Sequence, residues 1–168
     1  MPRPDSAAVA TRRALLTLVF ALWWGGFTFY AAVVVPVGTA VLGGTVAQGF
    51  VTQPVTDRLN VLGAVVAVAL GWNLRRLWPG AAAGMRRALG WSWGVFAAAQ
   101  LTLFVLHPRL DAMLDARTRS FVAERATFYA MHRAYLLVAA AAWAAATVHA
   151  LAVSRAWVEG ASQSRSVS

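Results

Sequence analysis

Residues 14–56 contain no charged side chain, a run of 43 residues. About 20 residues are enough for an α-helix to cross the hydrocarbon core of a bilayer. The run is therefore longer than one crossing needs. It has to hold a first span, a break and the approach to a second. The first span is expected over residues 14–35, either ending there or continuing past Pro36 with a kink. Gly38, Gly43, Gly44 and Gly49 then break the helical pattern. Gln48, Thr52, Gln53 and Pro54 are polar or helix-breaking and mark a connection near the surface.

The same logic divides the rest of the chain. A second span is expected over 55–74, ending before Arg75 and Arg76. The Trp78-Pro79-Gly80 loop leads to Arg86 and Arg87, and a third span over 88–106 is stopped by Pro108. Between 110 and 124, Leu110, Met113, Leu114 and Phe121 recur at roughly helical spacing with charges between them. That pattern predicts a short amphipathic helix on the membrane surface, supported by an i,i+4 pair of Asp115 and Arg119. A fourth span follows over 128–153. Residues 1–13 are polar and expected to be loose, and the Ser-rich tail over 154–168 is expected to be disordered. The basic N-terminus and first span resemble a signal peptide, but the apolar run is too long and lacks a small-x-small cleavage site at the right distance, so it reads as an uncleaved helix. The expected fold is all-α: an integral membrane bundle of four transmembrane helices over 14–153, with a short amphipathic surface helix between the third and fourth.

Composition agrees with this class. The chain is 60% hydrophobic and 12% charged, where a soluble domain carries about 25% charged residues. All fifteen basic residues are arginine, and the formal net charge is +9. With so much alanine, the absence of lysine points to codon bias in a GC-rich bacterial genome. The arginines lie in short clusters between apolar runs, the pattern of membrane-flanking charge, so no nucleic-acid partner is implied. The absence of cysteine excludes disulfides, thiolate metal sites and cysteine nucleophiles.

The clusters set an orientation. Arg3, Arg12, Arg13, Arg75, Arg76, Arg86, Arg87, Arg155 and Arg165 fall on one side, nine in all, against six on the other: Arg58, Arg109, Arg117, Arg119, Arg125 and Arg133. The positive-inside rule then places both termini in the cytoplasm of a bacterial inner membrane. Trp72, Trp78, Trp91, Trp93 and Trp157 gather near the cytoplasmic interface. Trp23 and Trp24 sit near the midplane and are expected to pack inside the bundle or face lipid.

Close packing in lipid relies on small residues. Gly63, Ala67 and Gly71 on the second span, and Gly90, Gly94 and Ala98 on the third, make two stripes expected to line the bundle interior. The second stripe is also a candidate surface for a homo-oligomer. No internal repeat points to a transporter built from halves.

Polarity inside the spans is sparse. Gln100 and Thr102 sit in the third span, Thr28 and Tyr30 in the first, and no Asp, Glu, Lys or Arg lies near a midplane. That argues against an ion pathway; Gln100 reads as an interhelical hydrogen bond. At the outer ends polarity gathers into a candidate rim: Asp57, Arg58 and Asn60 opening the second span, His107 and Arg109 closing the third, His132 and Arg133 opening the fourth. His107 and His132 are the candidate pair for a metal or a haem edge. His149 lies about 25 Å further along the fourth span at 1.5 Å per residue, so it cannot join them. Enzyme templates fail: there is no phosphate-binding glycine loop, no paired carboxylate and no Ser-His-Asp spacing.

Three short motifs carry a resemblance. The first span reads Trp24-Gly25-Gly26-Phe27-Thr28-Phe29-Tyr30, then a valine run to Pro36. The third ends His107-Pro108-Arg109-Leu110-Asp111, and the fourth begins Phe128-Tyr129-Ala130-Met131-His132-Arg133. In this order they resemble the TMEM205-like (DUF4149-type) family of small four-helix membrane proteins. Its proline-arginine step maps to Pro108 and Arg109, and its aromatic-histidine step to Phe128 and His132. His107 departs from the family pattern, and a first-helix histidine found in some members is absent. The resemblance implies an integral membrane protein in the lipid bilayer without a settled activity, and it supplies no catalytic mechanism. The apolar helices, small-residue stripes and polar outer rim point to a non-enzymatic protein that binds a lipid, a small amphiphile or a membrane partner. A haem- or metal-binding redox subunit using His107 and His132, and a small transporter or channel, are the alternative readings.

Overall fold

The computed structural model describes residues 4–115 and 120–166. Apart from turns, one short 3-10 turn and a two-stranded hairpin, the described chain is helical. α1 spans Pro4–Phe29 and runs through a π-helical turn, Tyr30–Val34, into α2, Val35–Val41. α3 spans Thr45–Leu77, α4 Ala83–Asp111 and α5 Arg125–Ser166, with β1 (Leu114–Asp115) and β2 (Ser120–Phe121) between the last two. Four stretches are long and apolar enough to cross a membrane: Ala7–Val41, Val46–Gly80, Ala83–Asp111 and Arg125–Gly160.

The helices outrun the expected boundaries, and prolines explain much of the difference. The helix passes Pro36 because the preceding turn is wide: the Val35 N–H bonds back to the Tyr30 carbonyl. An i→i+5 turn gives the proline ring the room that a regular turn denies it. Pro54 lies inside α3, so the connection expected at Gln48, Thr52, Gln53 and Pro54 is helix instead. The real break is Leu42–Gly44, where Gly43 adopts φ +72°, a left-handed conformation open to glycine at little cost. Pro108 does not stop α4 either. It lies within the last turn, where the Ala112 N–H still reaches the Pro108 carbonyl at 3.0 Å. Residues 4–13, expected to be loose, continue α1, and residues 154–166, expected to be disordered, continue α5.

Among the described residues of 110–124, the expected surface helix is not formed. Leu110 belongs to α4, and Ala112 and Met113 form a turn. Leu114 then pairs with Phe121 and Asp115 with Ser120 across an antiparallel hairpin. The apparent helical spacing mixed the end of one helix with a cross-strand apolar pair, which is the stabilising unit of a small hairpin. Arg117 and Arg119, the latter the expected partner of Asp115, lie outside the described residues.

The chain divides into two compact units. In the first, α1–α2 and the N-terminal part of α3 form an antiparallel helical hairpin with a steady register. Tyr30 Oη and Thr56 Oγ1 are hydrogen-bonded at 3.0 Å. A side chain at Gly26 would come within 3.8 Å of Leu59 Cδ2, and the Gln48 amide fills the space a side chain at Gly38 would need. Trp23, 2% exposed, is part of the packed interior and stacks obliquely near Phe27 at 5.9 Å.

In the second unit, α4 and α5 pack along their length. The buried residues of α4 (Leu89, Ser92, Phe96, Ala99, Gln100, Leu103, His107 and Leu110) follow a helical repeat and form a single stripe. On α5, Tyr135, Ala139, Ala142, Ala145, Ala146, His149, Ala152 and Val153 form the facing stripe. The alanines let the α5 backbone approach, which matters where lipid supplies no hydrophobic drive for association. The C-terminal part of α3 joins through Gly71. A Cβ there would sit 2.9 Å from the Trp93 ring, and Trp93 Nε1–H donates to the Ala67 carbonyl at 2.9 Å. The Gly63-Ala67-Gly71 stripe is thus a packed surface as expected at Ala67 and Gly71. The Gly90-Gly94-Ala98 stripe is packed only at Gly90, where a Cβ would meet the Trp78 ring at 3.5 Å; Ala98 is exposed, and nothing lies within 4 Å of a side chain added at Gly94. The larger residues Leu89, Phe96 and Leu103 take the interior face instead.

Candidate functional site

The candidate rim residues divide between the two units. In the first, Asp57 and Arg58 are exposed and Asn60 is buried. Arg58 Nη1 donates to the Pro54 carbonyl at 2.8 Å, one turn back along the same helix, where that carbonyl lies beside the proline. In the second unit, His107 is buried, and its Nδ1 lies 3.0 Å from Asp111 Oδ2. Its ring packs obliquely against Tyr135 at 6.0 Å. His132 is exposed and stacks on Phe128 within α5, with centroids 5.8 Å apart and planes within 9°. Arg109 and Arg133 are exposed. Each histidine is therefore held by its own neighbours. Among the described residues, no group of three His, Asp or Glu side chains is placed to hold a metal ion.

Two features of the second unit were not anticipated. The first is a groove of about 360 Å³ at one end of the α4–α5 pair. Gly84, Met85 and Ala88 form one wall; Val148, Leu151 and Ala152 form the other; Arg155 stands at its end. Small residues on α4 and apolar ones on α5 line it, with one cation among them. Arg86 and Arg87, in the first turn of α4, add positive charge at the same end.

The second is a layer of buried polar groups. Ser92 Oγ and His149 Nδ1 are 3.0 Å apart across α4 and α5. The Ser92 hydroxyl has one hydrogen, and its shortest acceptor is the Ala88 carbonyl at 2.7 Å. Spent there, the hydroxyl oxygen is left to accept from His149 Nδ1–H, which places the lone pair of the neutral imidazole on Nε2. That atom is buried and has no partner. Asn73 on α3 is 0% exposed, and neither its Nδ2 nor its Oδ1 has a partner. Further along α4, Gln100 Nε2 is buried without a partner as well, so the interhelical bond expected of it is not formed from that atom.

Sequence reasoning passed over Asn73 and Ser92. It treated His149 only as too far from the outer histidines. The available signal was depth: an Asn, a Ser and a His, each within a span and each near the arginine-rich end. It gains meaning only once the helices are in register. Comparison of the chain with protein-family models, curated proteins and solved structures finds no match.

Proposed function

We propose that this chain is a four-span integral membrane protein of the TMEM205-like type, resident in a bacterial inner membrane with both termini cytoplasmic, and that it acts without catalysis by holding a lipid or small amphiphile. The observation that carries the membrane reading is the outward apolar surface. Leu18 is 65% exposed, Val68 73%, Leu101 69% and Leu137 72%, all within the apolar stretches. Side chains of this size, repeated along every span, need an apolar solvent. In the first stretch only 6% of the most apolar window is buried within the protein, so lipid or another chain has to cover that helix.

The groove on α4 and α5 supports the amphiphile. It offers an apolar channel for an acyl chain and, at the level of Arg86, Arg87 and Arg155, a cationic end suited to an anionic headgroup. Each such arginine near an anionic surface is worth about 1 kcal/mol. Two measurements test the proposal. The chain lacks cysteine, so single Ser120→Cys and Ser162→Cys variants report topology directly. An impermeant maleimide added to intact cells is expected to label the first and not the second; the reverse pattern overturns the orientation. Native mass spectrometry of protein released from detergent is expected to show a retained anionic phospholipid, lost in Arg155→Gln and in Ala88→Leu. Retention unchanged in both variants overturns the groove as the binding place.

A further inference from the structure

We infer that the second unit encloses a binding site for a water molecule between Asn73, Ser92 and His149. The three residues lie on three different helices, and contacts between those helices bring them to nearby levels. Ser92 meets His149 directly at 3.0 Å. Leu74, one residue after Asn73, belongs to the same buried cluster as Leu89 and Val153, which lie three residues before Ser92 and four after His149. Gly71, two residues before Asn73, meets the ring of Trp93, the residue after Ser92. In the α3–α4 register Asn73 thus stands within about one turn of Ser92, on the side of the 78–80 turn. Its position falls within the buried stripe formed by Val66, Leu70 and Leu74. Helical side chains lean toward their own N-terminus. On α3 that direction leads away from the 78–80 turn, as the step from Leu89 to Ser92 does on α4.

The hydrogen-bonding demand at this level specifies the ligand. In the Nδ1–H tautomer His149 Nε2 is an acceptor without a donor; Asn73 offers two donor hydrogens and an acceptor oxygen, all unpartnered. Both side chains are 0% exposed. Lipid supplies no hydrogen bonds to such groups, and a buried polar group left unsatisfied is costly. A direct bond from Asn73 Nδ2 to His149 Nε2 would serve one pair and leave the Asn73 oxygen without a donor. A single water can donate to both Nε2 and Oδ1 while accepting from Nδ2. Three bonds is the usual complement of an enclosed water. A metal ion is a poorer fit, because the site supplies no carboxylate and only one imidazole nitrogen. The inference depends on the packing of the second unit and is independent of the lipid reading.

The test is nuclear magnetic resonance of the full chain in lipid nanodiscs, with ¹⁵N,¹³C-labelled histidine and asparagine. The signals of His149 are distinguished from those of His107 and His132 by comparison with His149→Phe. A cross-peak between a His149 ring proton and a long-lived water is expected, together with an Nδ1–H tautomer. Asn73→Leu is expected to abolish the water cross-peak while the Nδ1–H tautomer remains. A wild-type spectrum with no water cross-peak, or with a direct nitrogen–nitrogen coupling between Asn73 Nδ2 and His149 Nε2, overturns the site. The wild-type measurement decides the matter even where Asn73→Leu fails to fold.

Discussion

His107 and His149 lie on the same helix pair, and their surroundings differ in kind. His107 is on the last turns of α4, one turn from Asp111 and facing Tyr135. His149 is mid-helix on α5, bonded across to Ser92 and carrying a second nitrogen without a protein partner. Near a helix end, a polar side chain finds a neighbour four residues away on its own helix, with solvent close by. Inside a span, its partner has to come from another helix or be brought in. The outer histidine, with two protein neighbours, completes a helix end; the inner one is the place where this unit has unspent hydrogen-bonding capacity.

Five substitutions test that contrast, each read as the shift in unfolding by sodium dodecyl sulfate in mixed micelles. His149→Ala is expected to have the largest effect, about 2–4 kcal/mol, because it leaves a cavity in a packed stripe and strips a partner from Ser92. Equal costs for His149→Ala and His107→Ala would remove the contrast. Gly71→Val comes next, at about 1–3 kcal/mol of overpacking, since a Cβ there meets the Trp93 ring at 2.9 Å. It should also disturb the inner layer, as Trp93 adjoins Ser92; a neutral result would detach α3 from that layer. Ser92→Ala is expected to cost about 0.6–1.7 kcal/mol, the range of interhelical hydrogen bonds in membranes. Asp111→Asn is expected to be the smallest, roughly 0.5 kcal/mol or less, because the Asp111 side chain is 37% exposed. A larger loss there would mean that the outer histidine depends on its contact with Asp111 more than the exposure of Asp111 allows.

Much of the helical content was legible from composition and from the charge-free run, because a long apolar segment has few ways to satisfy its own backbone. Boundaries were less legible. Proline was read as a stop at Pro108, as part of a connection at Pro54 and as either a stop or a kink at Pro36, by rules suited to isolated helices. In the folded chain a wide turn before Pro36 absorbs one, and helix-end position accommodates another. The hairpin at 114–121 was hidden because four apolar residues happened to match a helical period, although two of them belonged to the preceding helix and its turn. Of the candidate rim, the sequence located residues at helix ends but not their partners. His107 turned to Asp111 and Tyr135, and His132 to Phe128.

What the sequence alone determined was the number of long apolar helices, the clustering of arginine and the poverty of charge within the spans. These follow from one-dimensional facts: length against bilayer thickness, and the cost of charge in hydrocarbon. The tertiary structure decided which face of each helix turns inward. Glycine spacing nominated the Gly90-Gly94-Ala98 face of α4, whereas packing chose the face with Leu89, Ser92, Phe96 and His107. It also decided that Ser92 meets His149 and that Asn73 is buried within about one turn of Ser92. Those relations come from interhelical register, which is set by how ridges of side chains on one helix fit another, and no single helix contains that information.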